Sequence, residues 1–320
     1  MMTLRKVVLV VYIGLLASCE QQVSFDIARE PPRLAVYAII NPDSLVSVWV
    51  TQTKSVADQT PIRAIRNAEV TVAPEGQSPE RLTLQDRQRG EYQAGFAPQA
   101  GTTYHLTVAA EGLPPAEAIT QVPKPVPIQS VAYRTSYMNR PSPCPEWDDN
   151  CDSVITRYRI DLTLEDPAEE NYYEVMSFVQ YLEEREEYDF LTEEVSTVID
   201  TVVYSPNQRS NDPVITSVDE LLINPPYTSN QELKFSDELF NGRAYTLTYA
   251  FESDKTNIDQ LTLLLRTYHP EAYAYLRAKK VQQQDGGSSL SEPVQIPQNI
   301  QGGYGIFSSY SEDTVTIRLR

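Results

Sequence analysis

From Leu34 onward, apolar and polar residues alternate with a period of two, the pattern of strands with one face in a core and one in water. "RLAVYAII" is followed by the turn residues Asn41-Pro42-Asp43-Ser44 and then by "LVSVWVTQT", where Val46, Val48 and Val50 alternate with Ser47, Trp49 and Thr51. "NAEVTVAPEG" repeats the pattern with Ala68, Val70 and Val72 before Pro74 and Gly76, and "ERLTLQD", "GEYQAGF" and "AEAITQVP" extend it. "GTTYHLTVAAEG" places Tyr104, Leu106 and Val108 on one face. About seven short strands with turn residues between them predict an immunoglobulin-like β-sandwich over residues 33–124.

"VPKPVPIQS" then interrupts the pattern. Proline fixes φ and biases its predecessor to extended conformations, so this stretch is stiff and poor in backbone donors. A domain boundary is predicted here, with a second antiparallel β domain over residues 125–320. "RYRIDLTLED" sets Tyr158, Ile160, Leu162 and Leu164 against Arg157, Arg159, Asp161 and Thr163. "NYYEVMSFVQYL" and "STVIDTVVYS" follow, with the acidic run "EEREEYDFLTEE" between them, and "AYTLTYAFES" with "QLTLLLRTYH" reads as an adjacent antiparallel pair.

The period changes once, in "HPEAYAYLRAKKVQQQDGG". Pro270 suits a first helical turn, Glu271 complements the helix dipole, and Gly286 and Gly287 stop the chain, so a helix is predicted over about 270–284. Tyr273 and Leu276 give it a short apolar face. The fold class is therefore mainly β: a sandwich, then an antiparallel domain carrying one helix. Near the end, "SEPVQIPQNIQGGYGIFSSYS" has Gly302 and Gly303 leading into a strand rather than a helix. A phosphate-cradling loop needs the opposite order, so this segment reads as a turn or bulge before a closing strand. "DTVTIRLR" is a last strand with Val315, Ile317 and Leu319 on one face.

The other end of the chain carries an address. A basic start (Arg5, Lys6), an apolar run from Val7 to Ala17 and the lipobox Leu16-Ala17-Ser18-Cys19 predict a signal peptide over 1–18, cleavage before Cys19 and lipidation of that thiol. Acyl chains there would hold the protein in a membrane, each buried methylene contributing about 0.8 kcal/mol. Residues 19–32 read as the lipidated tether. The net charge of −18 becomes more negative once Arg5 and Lys6 are removed, leaving 24 basic side chains against 44 acidic ones. Such a chain repels phosphate backbones and anionic lipid surfaces, which argues against nucleic-acid binding.

Candidate chemistry is sparse. The two histidines, His105 and His269, sit in a strand and at a strand-to-helix junction, and neither comes with a nucleophile elbow or a zinc-ligand spacing. No catalytic residues are assigned, and the chain reads as non-enzymatic. In "CPEWDDNCD", Cys144 and Cys151 are spaced for a disulfide across a small loop in an exported protein. Glu146, Asp148, Asp149 and Asp152 could supply oxygens to calcium, although the spacing is not that of an EF-hand. The alternative is a solvated hairpin tip, with Trp147 either a ligand contact or folded onto the sheet. Otherwise no cofactor is expected. The run from Leu182 to Glu194 fits a solvated face or loop, a cation chelator or a surface for a basic partner. The 20 tyrosines fit strand composition, and some could stack on a glycan.

Several of these segments together resemble a family of Bacteroidetes outer-membrane lipoproteins known as domain of unknown function 4249. The features that carry the resemblance are Cys19, "NAEVTV", "GEYQAGFAPQAGTTYHLTV", Val122-Pro123, "EDPAEENYYEV", "LFNGRAYTLTY", the helix "PEAYAYLRAKKVQQQ" and, most specifically, "EPVQIPQNIQGGYGIFSSYS". The family has no settled activity. The resemblance implies an outer-membrane location and work beside a TonB-dependent receptor, as an accessory or in ligand capture. A free-standing glycan- or peptide-binding surface protein is the alternative. In such bacteria acidic residues after the lipidated cysteine favour surface export; here only Glu20 precedes Gln21 and Gln22, so both membrane leaflets stay open.

Overall fold

Among the described residues nine strands form up to Gln121, because the alternation noted above gives most of them one apolar face. They are β1 (Leu34–Ile40), β2 (Ser47–Gln52), β3 (Arg63–Ala64), β4 (Glu69–Pro74), β5 (Glu80–Arg81), β6 (Thr83–Asp86), β7 (Glu91–Gln93), β8 (Thr103–Ala109) and β9 (Ala116–Gln121). In this computed structural model the described residues are 30–55, 58, 60–140, 153–189, 194–215, 233–255, 258–284 and 294–319. The predicted signal peptide, Cys19, most of the tether and the whole loop from Cys144 to Asp152 lie outside them. The elements below belong to one compact unit, Pro32–Thr53 with Ile62–Arg320.

Two sheets sandwich the first core. One runs β1-β2-β7-β6 and the other β5-β4-β8-β9. Leu34, Val36, Ala38 and Ile40 of β1 and Val48 and Val50 of β2 bury against Val70, Val72, Leu106 and Val108. Burying such side chains stabilises the fold by about 1.5–3 kcal/mol each. Tyr92 fills the same core and satisfies its hydroxyl, which accepts from Ala68 N and donates to Ile65 O, both at 2.9 Å.

The second core lies between β10 (Ile128–Arg140), β11 (Ser153–Glu165), β14 (Gln208–Arg209) and β16 (Ala244–Ser253) on one side and β12 (Tyr172–Asp189), β13 (Glu194–Tyr204), β15 (Leu233–Ser236) and β17 (Ile258–Tyr268) on the other. Val122 belongs to the first core and Val126 to the second, so the proline stretch marks the passage between them. "AYTLTYAFES" and "QLTLLLRTYH" are not a hairpin. β16 pairs with β11 and β14, whereas β17 pairs with β12 and β18 (Tyr304–Arg318). The reason is burial: Leu247, Tyr249 and Phe251 on β16 and Leu261, Leu263 and Leu265 on β17 both find cover in the same core, from opposite sheets.

β18 joins the two cores. Ala35 to Ile40 pair in parallel with Tyr304 to Ser309, and the remainder of β18, Tyr310 to Arg318, pairs antiparallel with β17. The two C-terminal segments read separately in the sequence are thus one strand, and a ten-stranded sheet runs β13-β12-β17-β18-β1-β2-β7-β6 with β3 and β15 at its sides. Val315, Ile317 and Leu319 pack on the second core, Phe307 in the first. Among the described residues the chain is mainly β with one helix, as expected.

That helix, α1 (Pro270–Gln284), lies on the face of the sheet opposite the second core. Ala272 and Tyr273 are buried there against Tyr268, with Tyr172, Tyr310 and Ile39 packed alongside. His269 caps its start, accepting from Glu271 N through Nδ1 at 3.4 Å. Burial lowers the His269 pKa and the Glu271 carboxylate opposes that shift.

Candidate interaction ribbon

Leu182 to Asp189 of the acidic run singled out in the sequence lie on β12, Glu194 begins β13, and residues 190–193 lie outside the described residues. Up to Tyr181, β12 is flanked by β17. β17 begins at Ile258, opposite Tyr181, so among the described residues β12 pairs from Leu182 onward with β13 alone. Leu182 to Tyr188 and Val195 to Thr201 therefore form a two-stranded ribbon projecting past the second core.

Its root is clamped by aromatic residues. Tyr181 meets Tyr204 edge-on at 5.9 Å, Tyr204 Oη shares a 2.7 Å hydrogen bond with Ser253 Oγ, and Lys255 Nζ sits 5.0 Å over the Tyr181 ring. Beside this clamp, a groove of about 330 Å³ is lined by Arg157, Tyr204, Asn207, Arg209 and Phe251. Arg157 is engaged there by Glu252 at 3.0 Å.

The register divides the ribbon into two faces, because residues opposite one another point to the same side. Tyr188↔Val195, Glu186↔Thr197, Glu184↔Ile199, Leu182↔Thr201 and Gln180↔Val203 share one face. Its five large apolar residues are exposed: Leu182 and Tyr188 at 48%, Val203 at 57%, Ile199 at 59% and Val195 at 60%. The other face carries Glu183, Arg185, Glu187 and Asp200, with Arg185 Nε bonded to Asp200 Oδ2 at 2.7 Å. The sequence hinted at this arrangement. In "VSTVIDTVVY", Val195, Ile199 and Val203 have one parity and Val198 and Val202 another, so apolar residues lie on both faces of one strand.

Two buried polar clusters have structural roles. Across β15, β12, β17 and β18 the paired positions Lys234, Glu174, Arg266 and Glu312 form a row of alternating charge. Glu174 receives Lys234 at 3.6 Å, Arg266 at 3.7 Å and the Tyr268 hydroxyl at 2.5 Å, and Arg266 reaches Glu312 at 2.5 Å. Arg266 also lies 4.7 Å over the Tyr310 ring. Burial acts to lower the Arg266 pKa, and Tyr268 and Glu312 outweigh it and raise it. In the second cluster Asp166 accepts from the Tyr173 hydroxyl and from Gly242 N at 2.8 Å, and Asp237 accepts from Asn171 N at 2.8 Å. Burial raises both carboxyl pKa values. These bonds stitch the loop after β11 to the turn after β15, which accounts for them without chemistry.

A third grouping, missed in the sequence, is aromatic. Tyr37 of β1 lies 5.8 Å from its cross-strand partner Trp49 and 5.9 Å from Tyr275 of α1, with Lys279 Nζ 5.6 Å over its ring. All four are partly exposed. Nothing in the local sequence signals it, since α1 brings Tyr275 and Lys279 from more than 200 residues away.

The earlier candidates Cys19, Cys144, Glu146, Trp147, Asp148, Asp149, Cys151 and Asp152 are outside the described residues. Among the described residues no group of three or more His, Cys, Asp or Glu is placed to hold a metal ion. No helix among them is long and apolar enough to cross a membrane.

Comparison with curated proteins finds no match. A family model described as "Domain of unknown function (DUF4249)" matches residues 20–316, nearly the whole chain, including β1, the ribbon, α1 and all but the last two residues of the joining strand β18. The chain belongs to this family.

Proposed function

We propose that this protein is a non-enzymatic lipoprotein, anchored to the outer membrane through Cys19, that serves a TonB-dependent receptor as an accessory or ligand-capture component. The observation that carries the reading is the projecting ribbon, a partly apolar and strongly acidic arm held at its root, whose described apolar residues are 48–60% exposed. Exposed apolar patches rimmed by charge mark interaction sites. The lipobox supports the anchor and the family resemblance supports the receptor. The test is co-purification of the tagged, lipidated protein from its own outer membrane in mild detergent. A stoichiometric TonB-dependent receptor is the expected result, and repeated recovery of the protein alone would overturn the reading.

A second reading, a free-standing surface binder of glycans or peptides, is favoured by the Tyr37–Trp49–Tyr275 cluster, since sugar rings stack on such faces. It predicts glycan-array hits that weaken in Trp49→Ala, and in Trp147→Ala if that tryptophan contributes. An array without hits would remove it.

A further inference from the structure

β13 is an edge strand among the described residues, and it lacks the usual protection of an edge. Natural edges carry lysines, prolines or bulges that discourage pairing. On its apolar face β13 instead presents Val195, Thr197, Ile199, Thr201 and Val203, with no charge of its own, and its pairing with β12 is regular from Val179↔Tyr204 to Asp189↔Glu194. A two-stranded ribbon is marginal in water, and a third strand supplies both hydrogen bonds and cover for the stripe.

The charge pattern selects what that third strand is. A strand laid along β13 alternates its side chains between the two faces of the ribbon. One set would sit beside Val195, Ile199 and Val203, with Glu184 and Glu186 of β12 on the same face, so a base at either end of the added strand meets carboxylates there too. The other would sit on the face that carries Glu183, Glu187 and Asp200, where Arg185 bonds Asp200 and Lys255 reaches Glu183 at 3.9 Å, so carboxylates outnumber bases there among the described side chains. A second copy of this chain fits poorly. It would bring the same carboxylates and a net charge of −18 before processing toward an identical partner. An anionic lipid surface is repelled for the same reason.

We propose that the open edge of β13 is a strand-addition site for a partner protein, taking an extended segment in which apolar side chains alternate with lysine or arginine. Backbone bonds to β13 supply affinity, and the alternation supplies specificity. This deepens the receptor-accessory reading and rests on it only for which protein carries the segment.

The test uses the full chain in mild detergent and three short synthetic peptides alternating valine with lysine, valine with glutamate, and serine with lysine. The valine–lysine peptide binds and slows amide hydrogen exchange along β13, and the other two bind about tenfold more weakly or worse. The double variant Ile199→Ser/Val203→Ser, with unchanged circular dichroism, loses the same factor. Equal binding of the serine–lysine peptide, or exchange protection away from β13, overturns the proposal. So does self-association at low micromolar concentration that this double variant abolishes, because the occupant is then a second copy. A receptor that co-purifies with a chain that ignores the valine–lysine peptide sinks this inference and leaves the function reading standing; peptide binding without a receptor does the reverse.

Discussion

Asn299 holds Phe307 by both ends of its carboxamide. Phe307 N donates to Asn299 Oδ1 at 2.9 Å, and Asn299 Nδ2 donates to Phe307 O at 2.7 Å and to Glu271 Oε2 at 2.6 Å. The side chain thus imitates a neighbouring strand at the point where β18 enters the first core, and it ties that point to the first turn of α1. The segment around Asn299 is here a clasp. Asn299→Ala leaves the Phe307 backbone groups without these partners, and each such group costs about 1–3 kcal/mol. A loss of roughly 2–4 kcal/mol is expected in chemical denaturation. A change below about 0.5 kcal/mol, the range of neutral surface substitutions, would refute the clasp.

Gly305 makes the parallel pairing of β18 with β1 possible. Its φ is +115°, and a Cβ there would lie 1.9 Å from Val36 O. Gly305→Ala is expected to cost more than about 3 kcal/mol or to prevent folding, because the strain and the collision add. Gly76→Ala, where the added carbon meets nothing within 4 Å, is the control and costs about 1 kcal/mol. Similar losses at both positions, measured by thermal unfolding, would mean that β18 can shift to accept a side chain.

Glu174 is buried between Lys234 and Arg266. Removing one partner from a buried charge network leaves the others uncompensated, so Glu174→Ala is expected to destabilise by about 3–5 kcal/mol. By contrast, Ile199→Ser on the exposed stripe is expected to stay within about 0.5 kcal/mol of the parent. Urea unfolding of the two variants side by side checks both values, and a large loss at Ile199 would show that the stripe supports the fold.

His269 sets a pH dependence. Burial lowers its folded pKa below the ordinary value of about 6.5, so on acidification the unfolded chain takes up the proton first. Its contribution to stability is present above that ordinary value and is lost as pH falls through the folded pKa. His269→Asn keeps a helix-capping acceptor and removes the titration. Stability curves of the parent and the variant are expected to converge in slope above pH 7 and diverge below about 6.5, the parent falling faster. Asp166 and Asp237, with raised pKa values, act in the opposite sense, favouring the folded state at lower pH. A parent and variant that fall together would show that His269 takes up its proton equally in both states.

Much of this molecule is determined by periodicity alone. The alternation in "LVSVWVTQT" or "RYRIDLTLED" can bury only one face of a strand, and the helical spacing after Pro270 can only make a helix, so the fold class and most elements are legible residue by residue. The lipobox-like pattern Leu16-Ala17-Ser18-Cys19, which predicts lipidation, is likewise read locally. Partner choice among strands is not local. β16 and β17 look like a hairpin, yet they separate into facing sheets because both apolar faces need the same core. Nothing in "YGIFSSYSEDTVTIR" announces that one strand will pair in parallel with β1 and antiparallel with β17, for a strand's edges carry backbone groups that are the same for every sequence. The ribbon follows the same rule. Its acidity is plain from "EEREEYD", but its exposure exists only because β17 starts opposite Tyr181 and leaves β12 and β13 to run on without it.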